Sequence, residues 1–388
     1  MSLWGKLASR YQDSEDRQHR ILALDGGGIR GIMTLEILAR MEELLAQSSG
    51  RGTDFRLCQF FDYVGGTSTG AIIAAGIARG MSARELLEFY QQTGPAMFDK
   101  QFILKRWQAL YKSEPLKQEL QQTFGATTTL KPDDLECLFL AVTRNRSTDS
   151  PWPISSNPQA RYNDPARPDC NLHIPLWQIV RASTAAPVFF PPEVIQWDPA
   201  DEKKAFVFVD GGLTPYNNPA LLLYRMATEP AYRLNWASGE DKLLLVSVGT
   251  GAAATVDLDT DNPDRGLVSN IAGIPNALMY GAMVDQDINC RTLGRCVHGA
   301  ALDREIGDLI PRDAAGSIVP LTEKLQRRFL YARYNADVSR EGLDALGLQD
   351  IQPQNVQKLD SVEFIADLRR VGRRVAQEVQ LEHFGGFV

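Results

Sequence analysis

The alternation of apolar and polar positions divides the chain into strand and helix units. Residues 21–24, Ile-Leu-Ala-Leu, form a short apolar run that stops at Asp25-Gly26-Gly27-Gly28. A run of this length bounded by glycines predicts a buried strand. After Gly31, Leu35, Leu38, Met41 and Leu45 recur at helical spacing through Gln47, with charged residues between them, which predicts an amphipathic helix. The same order returns as an apolar run at 60–64, then Gly65-Gly66-Thr67-Ser68-Thr69-Gly70, then an Ala- and Ile-rich helix over 71–79. Further strands are predicted at 138–143, 205–209 and 242–248; the last two end in Asp210-Gly211-Gly212 and Gly249-Thr250-Gly251. Repeated strand–turn–helix units predict an α/β fold, here a three-layer α/β/α sandwich around a mainly parallel sheet. Ligands in such sheets sit beyond the carboxyl ends of the strands, so the glycine turns point to one shared site.

Two other stretches have a distinct pattern. Residues 147–172 hold five prolines and many polar residues, which predicts a surface excursion. Beyond about residue 255 the chain is more polar and helical, and Asp360 with Glu363 has the spacing of a capping box. The helix it opens would run to about Glu378, with Ile365, Leu368, Val375 and Val379 facing inward and Arg369-Arg370 and Arg373-Arg374 on a solvated face.

Composition narrows the class. The chain has 388 residues, 44% hydrophobic and 23% charged, values of a folded globular protein that exclude disorder and collagen-like structure. Its net charge of −7 disfavours a nucleic acid polymer as partner. Cys58, Cys137, Cys170, Cys290 and Cys296 form no C-x-x-C pair, so neither a disulfide framework nor a structural zinc site is expected and a reducing compartment fits. The first 20 residues lack an apolar signal stretch, and no apolar run approaches a membrane span. The expectation is a cytoplasmic protein whose membrane contact is peripheral.

The strongest chemical signal is Gly66-Thr67-Ser68-Thr69-Gly70, a G-x-S-x-G between a strand and a helix. Glycines on both sides let a serine occupy a tight turn above the sheet, with the helix N-terminus favouring negative charge. Such a serine needs a base. The four histidines, His19, His173, His298 and His383, follow no recognisable strand-end turn, although chain order leaves a triad with His298 or His383 open. An acid is better placed. The apolar run 206–209 delivers Asp210 to a strand end, which suggests a direct Ser68–Asp210 dyad. Asp25-Gly26-Gly27-Gly28-Ile29-Arg30-Gly31 offers backbone N–H groups at a helix start, suited to an oxyanion. The same stretch matches G-x-G-x-x-G, but the acidic strand end that a dinucleotide site wants about 20 residues later is replaced by a polar loop.

Together, these three motifs in this order resemble the patatin-like phospholipase family over residues 21–223, with 224–388 completing the sheet and forming a helical C-terminal extension. The resemblance implies Ser68 as nucleophile and Asp210 as its base. It implies an oxyanion hole of Gly26, Gly27 and Gly28 with Arg30 assisting, and an elbow framed by Gly66 and Gly70. The implied reaction is hydrolysis of acyl esters of glycerophospholipids through an acyl-enzyme, with no cofactor and no metal. The rival readings are a small-ester or thioester hydrolase with a His-containing triad, and a binding module with a degenerate site.

A lipid enzyme needs an interfacial surface. The span Phe98–Lys117 interleaves aromatic residues with a net charge of +3, a pattern suited to an anionic bilayer surface or to a packed helix with a basic face. Segments 331–335 and 359–365 resemble those of bacterial patatin-like proteins. Some of these are anti-phage effectors switched on by cyclic oligonucleotides to degrade the membrane. That likeness implies a cyclic oligonucleotide activator and a regulatory C-terminal region, without naming a pocket.

Overall fold

The computed structural model describes residues 2–12, 16–98, 114–187, 190–198, 200–253, 267–302, 305–313, 315–318 and 326–388. Its centre is one mixed sheet of β1 (His19–Leu24), β2 (Tyr63–Thr67), β3 (Leu138–Asn145), β4 (Ser150–Ser155), β5 (Glu193–Gln196), β6 (Ala205–Asp210), β7 (Leu243–Val248), β8 (Arg295–His298) and β9 (Leu330–Tyr334). The order is β5-β6-β3-β2-β1-β7-β9-β8, with β4 also paired to β3. The central run from β3 to β8 is parallel, whereas β4, β5 and β6 pair antiparallel.

Strand alternation feeds two cores. In β1, Leu22 and Leu24 join the core under the helices Gly31–Ser49, Thr69–Ala78 and Ile365–Ala376, while Ile21 and Ala23 join the core on the opposite face. β7 splits likewise, with Leu244, Val246 and Val248 against Leu243 and Leu245. Strands with apolar residues on both sides are those a parallel sheet buries between helical layers. The second core is covered by the helix Ala220–Thr228 and by Trp4, Leu7 and Tyr11 from the N-terminus. The architecture is therefore the three-layer α/β/α sandwich expected. Every residue of the helix Thr69–Ala78 is buried.

Three local expectations are corrected. The proline-rich stretch 147–172 is not wholly an excursion, because Ser150–Ser155 forms β4 against β3. Asp360 does not cap a helix: a 3-10 turn, Val362–Phe364, precedes the helix Ile365–Ala376, whose N-cap Phe364 makes no side-chain cap bond. Nor is the basic face simply solvated. Arg369 and Arg373 reach Glu36 on the Gly31–Ser49 helix at 2.5 and 3.3 Å, and Gly372 lies over Met33, where a Cβ would stand 2.8 Å from the Met33 Cα.

Candidate active site

The backbone of Ser68 is the strained point of the fold. It joins β2 to the helix Thr69–Ala78 at φ 54°, ψ −122°, a left-handed conformation that a non-glycine residue keeps only under external constraint. Gly66 and Gly70 frame it. The constraint on Ser68 is a relay: its N–H donates to Ser183 Oγ at 3.0 Å, and that hydroxyl donates to the Val142 carbonyl at 2.6 Å. Thr69, next in the chain, meets the buried Tyr90 hydroxyl through its side chain and, at 3.1 Å, through its carbonyl.

Asp210 arrives by an unexpected route. β6 runs antiparallel to β3 and stops with Asp210 opposite Thr143, one residue beyond Val142, which pairs with Thr67. The carboxylate thereby enters the turn above β2 from the side. Ser68 Oγ donates to Asp210 Oδ2 at 2.6 Å, and the Gly212 N–H donates to Oδ1 at 2.7 Å. Burial pushes the Asp210 carboxyl up to about 6, against these two hydrogen bonds, which pull it down. A base near neutrality that already accepts the hydrogen bond of the serine hydroxyl is suited to general-base work.

Beside them, the three-glycine loop leaves β1. Its amides are not equivalent. The Gly26 N–H donates to the Asn217 carbonyl at 3.1 Å, so Gly26 is not free to hold an oxyanion, contrary to expectation. No hydrogen bond among the described residues uses the Gly27 or Gly28 N–H, and both residues line the cavity with Ser68 and Asp210. The loop is braced from all sides. The Gly26 carbonyl accepts from Thr250 Oγ1 at 2.9 Å, and the Ile29 N–H donates to the Leu359 carbonyl at 3.0 Å. Arg30 braces it too, because its guanidinium bonds the Gln357 carbonyl at 3.2 Å and the Gly27 carbonyl at 3.4 Å. Burial lowers that guanidinium to about 10. Arg30 therefore does not line the cavity, and its reach is toward backbone.

The cavity has a volume of about 320 Å³, at the small end of ligand pockets. Its wall is largely apolar, with Phe98, Phe190, Leu213, Met279 and Leu359 among the lining residues. Asp210 is the one ionisable side chain among the described lining residues. Phe98, read from the sequence as part of an interfacial surface, is a buried wall residue. At the other end of that segment, the Lys117 ammonium lies 5.5 Å from the Trp177 ring. Residues 99–113 lie outside the described residues. No histidine lines the cavity: His19 stacks on Trp236, His298 stacks on His383, and His173 is exposed.

Ser183 and Asn217 went unnoticed in the sequence, whereas Thr250 lies in a glycine turn and Leu359 in a segment that were noted there without a role for either residue. Each acts through a contact with a residue more than 100 positions away, and no local pattern marks that contact. Among the described residues there is no cluster of His, Cys, Asp and Glu able to hold a metal, and no helix long and apolar enough to cross a membrane.

A serine on a strained strand-to-helix turn, hydrogen-bonded to a buried carboxylate beneath a glycine loop, defines a serine-esterase arrangement on an α/β sheet. Residues 22–224 match the patatin-like phospholipase family, and the chain belongs to that family of serine esterases. Patatin-17 of Solanum cardiophyllum is 30% identical over 252 residues, which cover 61% of this chain and 61% of that protein. The cGAMP-activated phospholipase of Vibrio cholerae is 32% identical over 217 residues, 53% of this chain and 56% of that protein. The chain thus spans 56–61% of the length of these curated relatives. Among solved structures, VipD of Legionella pneumophila aligns over 93% of this chain and 66% of its own at 13% identity, with a TM-score of 0.35.

Proposed function

We propose that this protein is a lipid acyl hydrolase that cleaves fatty-acyl esters of glycerophospholipids through a Ser68–Asp210 dyad. The observation that carries the reading is the 2.6 Å hydrogen bond from Ser68 Oγ to Asp210 Oδ2 at the base of a largely apolar cavity. Ser68 Oγ attacks the ester carbonyl carbon as its proton passes to Asp210 Oδ2. The Gly27 and Gly28 N–H groups hold the tetrahedral oxyanion, helped by the positive end of the Gly31–Ser49 helix. Asp210 returns the proton to the departing alcohol oxygen and leaves an acyl-serine. Water, deprotonated by the same carboxylate, then releases the fatty acid. The apolar wall takes the acyl chain, and a charged headgroup remains outside, because no Lys or Arg is found among the described lining residues. The dyad reading is favoured over a His-containing triad because the serine proton already has an acceptor and no histidine lines the cavity.

The finer reading concerns control. Likeness to a cGAMP-activated phospholipase supports a switch thrown by a cyclic oligonucleotide, and we extend the reading to a membrane-degrading antiviral effector that touches the bilayer peripherally. Fatty-acid release from mixed phospholipid vesicles tests both parts, with wild type, Ser68→Ala and Asp210→Asn, and with a panel of cyclic di- and trinucleotides. Release that needs Ser68 and Asp210 supports the hydrolase, and release that also needs a nucleotide supports the switch. Release that survives in either variant overturns the dyad. Constitutive release overturns the switch alone.

A further inference from the structure

The glycine loop has no side chains of its own between Asp25 and Ile29, so its shape is set from outside. The deepest of these supports is electrostatic. Asp25, just past the carboxyl end of β1, is fully buried, and Arg333, the penultimate residue of β9, is buried too. They form a two-point pair: Arg333 Nη1 donates to Asp25 Oδ1 at 2.9 Å, and Nη2 donates to Oδ2 at 2.5 Å. Nη1 also donates to Ser247 Oγ at 2.7 Å, on β7 between the two strands. The guanidinium therefore reaches across β7 to hold the last residue before Gly26. Its path is kept open by Gly249, where a Cβ would stand 3.0 Å from Arg333 Nη2 and 2.0 Å from Asn335 Oδ1. A two-point Arg–carboxylate pair fixes a plane as well as a distance.

We propose that Arg333 is a positioning residue for acyl transfer, acting through Asp25 to aim the Gly27 and Gly28 N–H groups at the oxyanion. The inference rests on the Ser68–Asp210 reading above. It assigns a role in the reaction to a strand that lies outside the 22–224 family match. The physical case is preorganisation. Oxyanion donors help only when they are already aimed, and a misplacement of about 1 Å can cost on the order of 10²-fold in rate. Glycine backbone is the most permissive there is. The pair pins the residue from which that backbone departs, while the Leu359 carbonyl pins Ile29 at its far end.

The test compares wild type with Arg333→Lys and with the double variant Asp25→Asn, Arg333→Gln, which removes both charges of the pair together. Two readouts are taken: steady-state hydrolysis of a soluble p-nitrophenyl acyl ester, and the rate at which a fluorophosphonate phosphonylates Ser68 with loss of fluoride. The expected result is a fall in kcat of about 10- to 100-fold with KM held within about twofold. Phosphonylation should slow in parallel, and the activity midpoint near pH 6 set by Asp210 should not move. Arg333→Lys, which keeps the charge but loses the fork, should fall between. A folded double variant, with near-UV circular dichroism and melting temperature like wild type, that keeps kcat within about twofold overturns the proposal. So does a loss that merely follows the folded fraction. If the double variant does not fold, Arg333→Lys carries the comparison by the same criteria. Wild type inert to both reagents, with and without the cyclic di- and trinucleotide panel, would overturn the acyl-transfer reading itself, and this inference with it.

Discussion

Gly66 and Gly70 face each other across the Ser68 turn with no room for a side chain between them: a Cβ on Gly66 would stand 2.1 Å from the Gly70 carbonyl carbon. One on Gly70 would stand 2.3 Å from the Leu24 carbonyl oxygen. The obstructing atoms are backbone, so nothing can swing aside. The two glycines let β2 fold directly onto the helix it feeds and bring both against β1. Gly66→Ala and Gly70→Ala should each destabilise the fold by more than the roughly 1–3 kcal/mol of ordinary overpacking. Urea melts of the two variants against wild type check this, and midpoints within error of wild type would contradict it.

Asp210 places activity and stability on opposite sides of the pH scale. Its carboxyl is raised to about 6 by burial, and only the ionised form can accept the Ser68 proton. Below that value kcat/KM should fall about tenfold per pH unit. For stability the sign is reversed. A raised carboxyl contributes stability that is fully present below its unfolded value and is lost as pH rises through about 6. Asp210→Asn should therefore abolish turnover yet raise the melting temperature at about pH 8, with a smaller gain at about pH 4.5.

Ser183 should matter to rate as well as to folding. Its hydroxyl is the acceptor for the Ser68 N–H. Ser183→Ala removes that acceptor in a buried place and should cost about 1–3 kcal/mol of stability. It should also lower kcat about tenfold as the strained turn relaxes. Ser183→Thr keeps the oxygen and should recover part of the rate. Stopped-flow acylation of the purified variants, measured well below their melting temperatures, separates the two effects.

Cavity shape should set chain length. Phe190 and Met279 form parts of its wall. Phe190→Ala should shift the optimum in a p-nitrophenyl ester series toward longer chains, and Met279→Trp toward shorter ones. The prediction fails if both variants keep the wild-type profile.

Much of this site was legible in the sequence, for a definite reason. Gly26–Gly28, Gly66–Gly70 and Asp210–Gly212 each sit where an apolar run breaks off in glycine, and a strand end with a tight turn leaves a local mark. The Ser68–Asp210 pairing was suggested by an acid at a strand end where no histidine motif stood, and the family resemblance implied it, while a triad with His298 or His383 stayed open. What stayed hidden depends on spatial neighbours. Gly26 reads like Gly27 and Gly28 until the Asn217 carbonyl is seen to engage its N–H. Arg30 reads as a charge for the oxyanion until its guanidinium is found on the carbonyls of Gly27 and Gln357. Residues 206–209 read as one more strand like the others, whereas β6 comes in antiparallel to β3; apolar periodicity is blind to direction.

The position of β7 has a practical consequence. β1 carries the glycine loop and lies between β2 and β7, and β7, β9 and β8 all come from beyond residue 224. A fragment trimmed to the family boundary would keep every residue of the dyad and the loop yet leave β1 as a bare apolar edge, open to strand pairing with other copies. Such a fragment should go to inclusion bodies, so expression should be attempted only with the full chain.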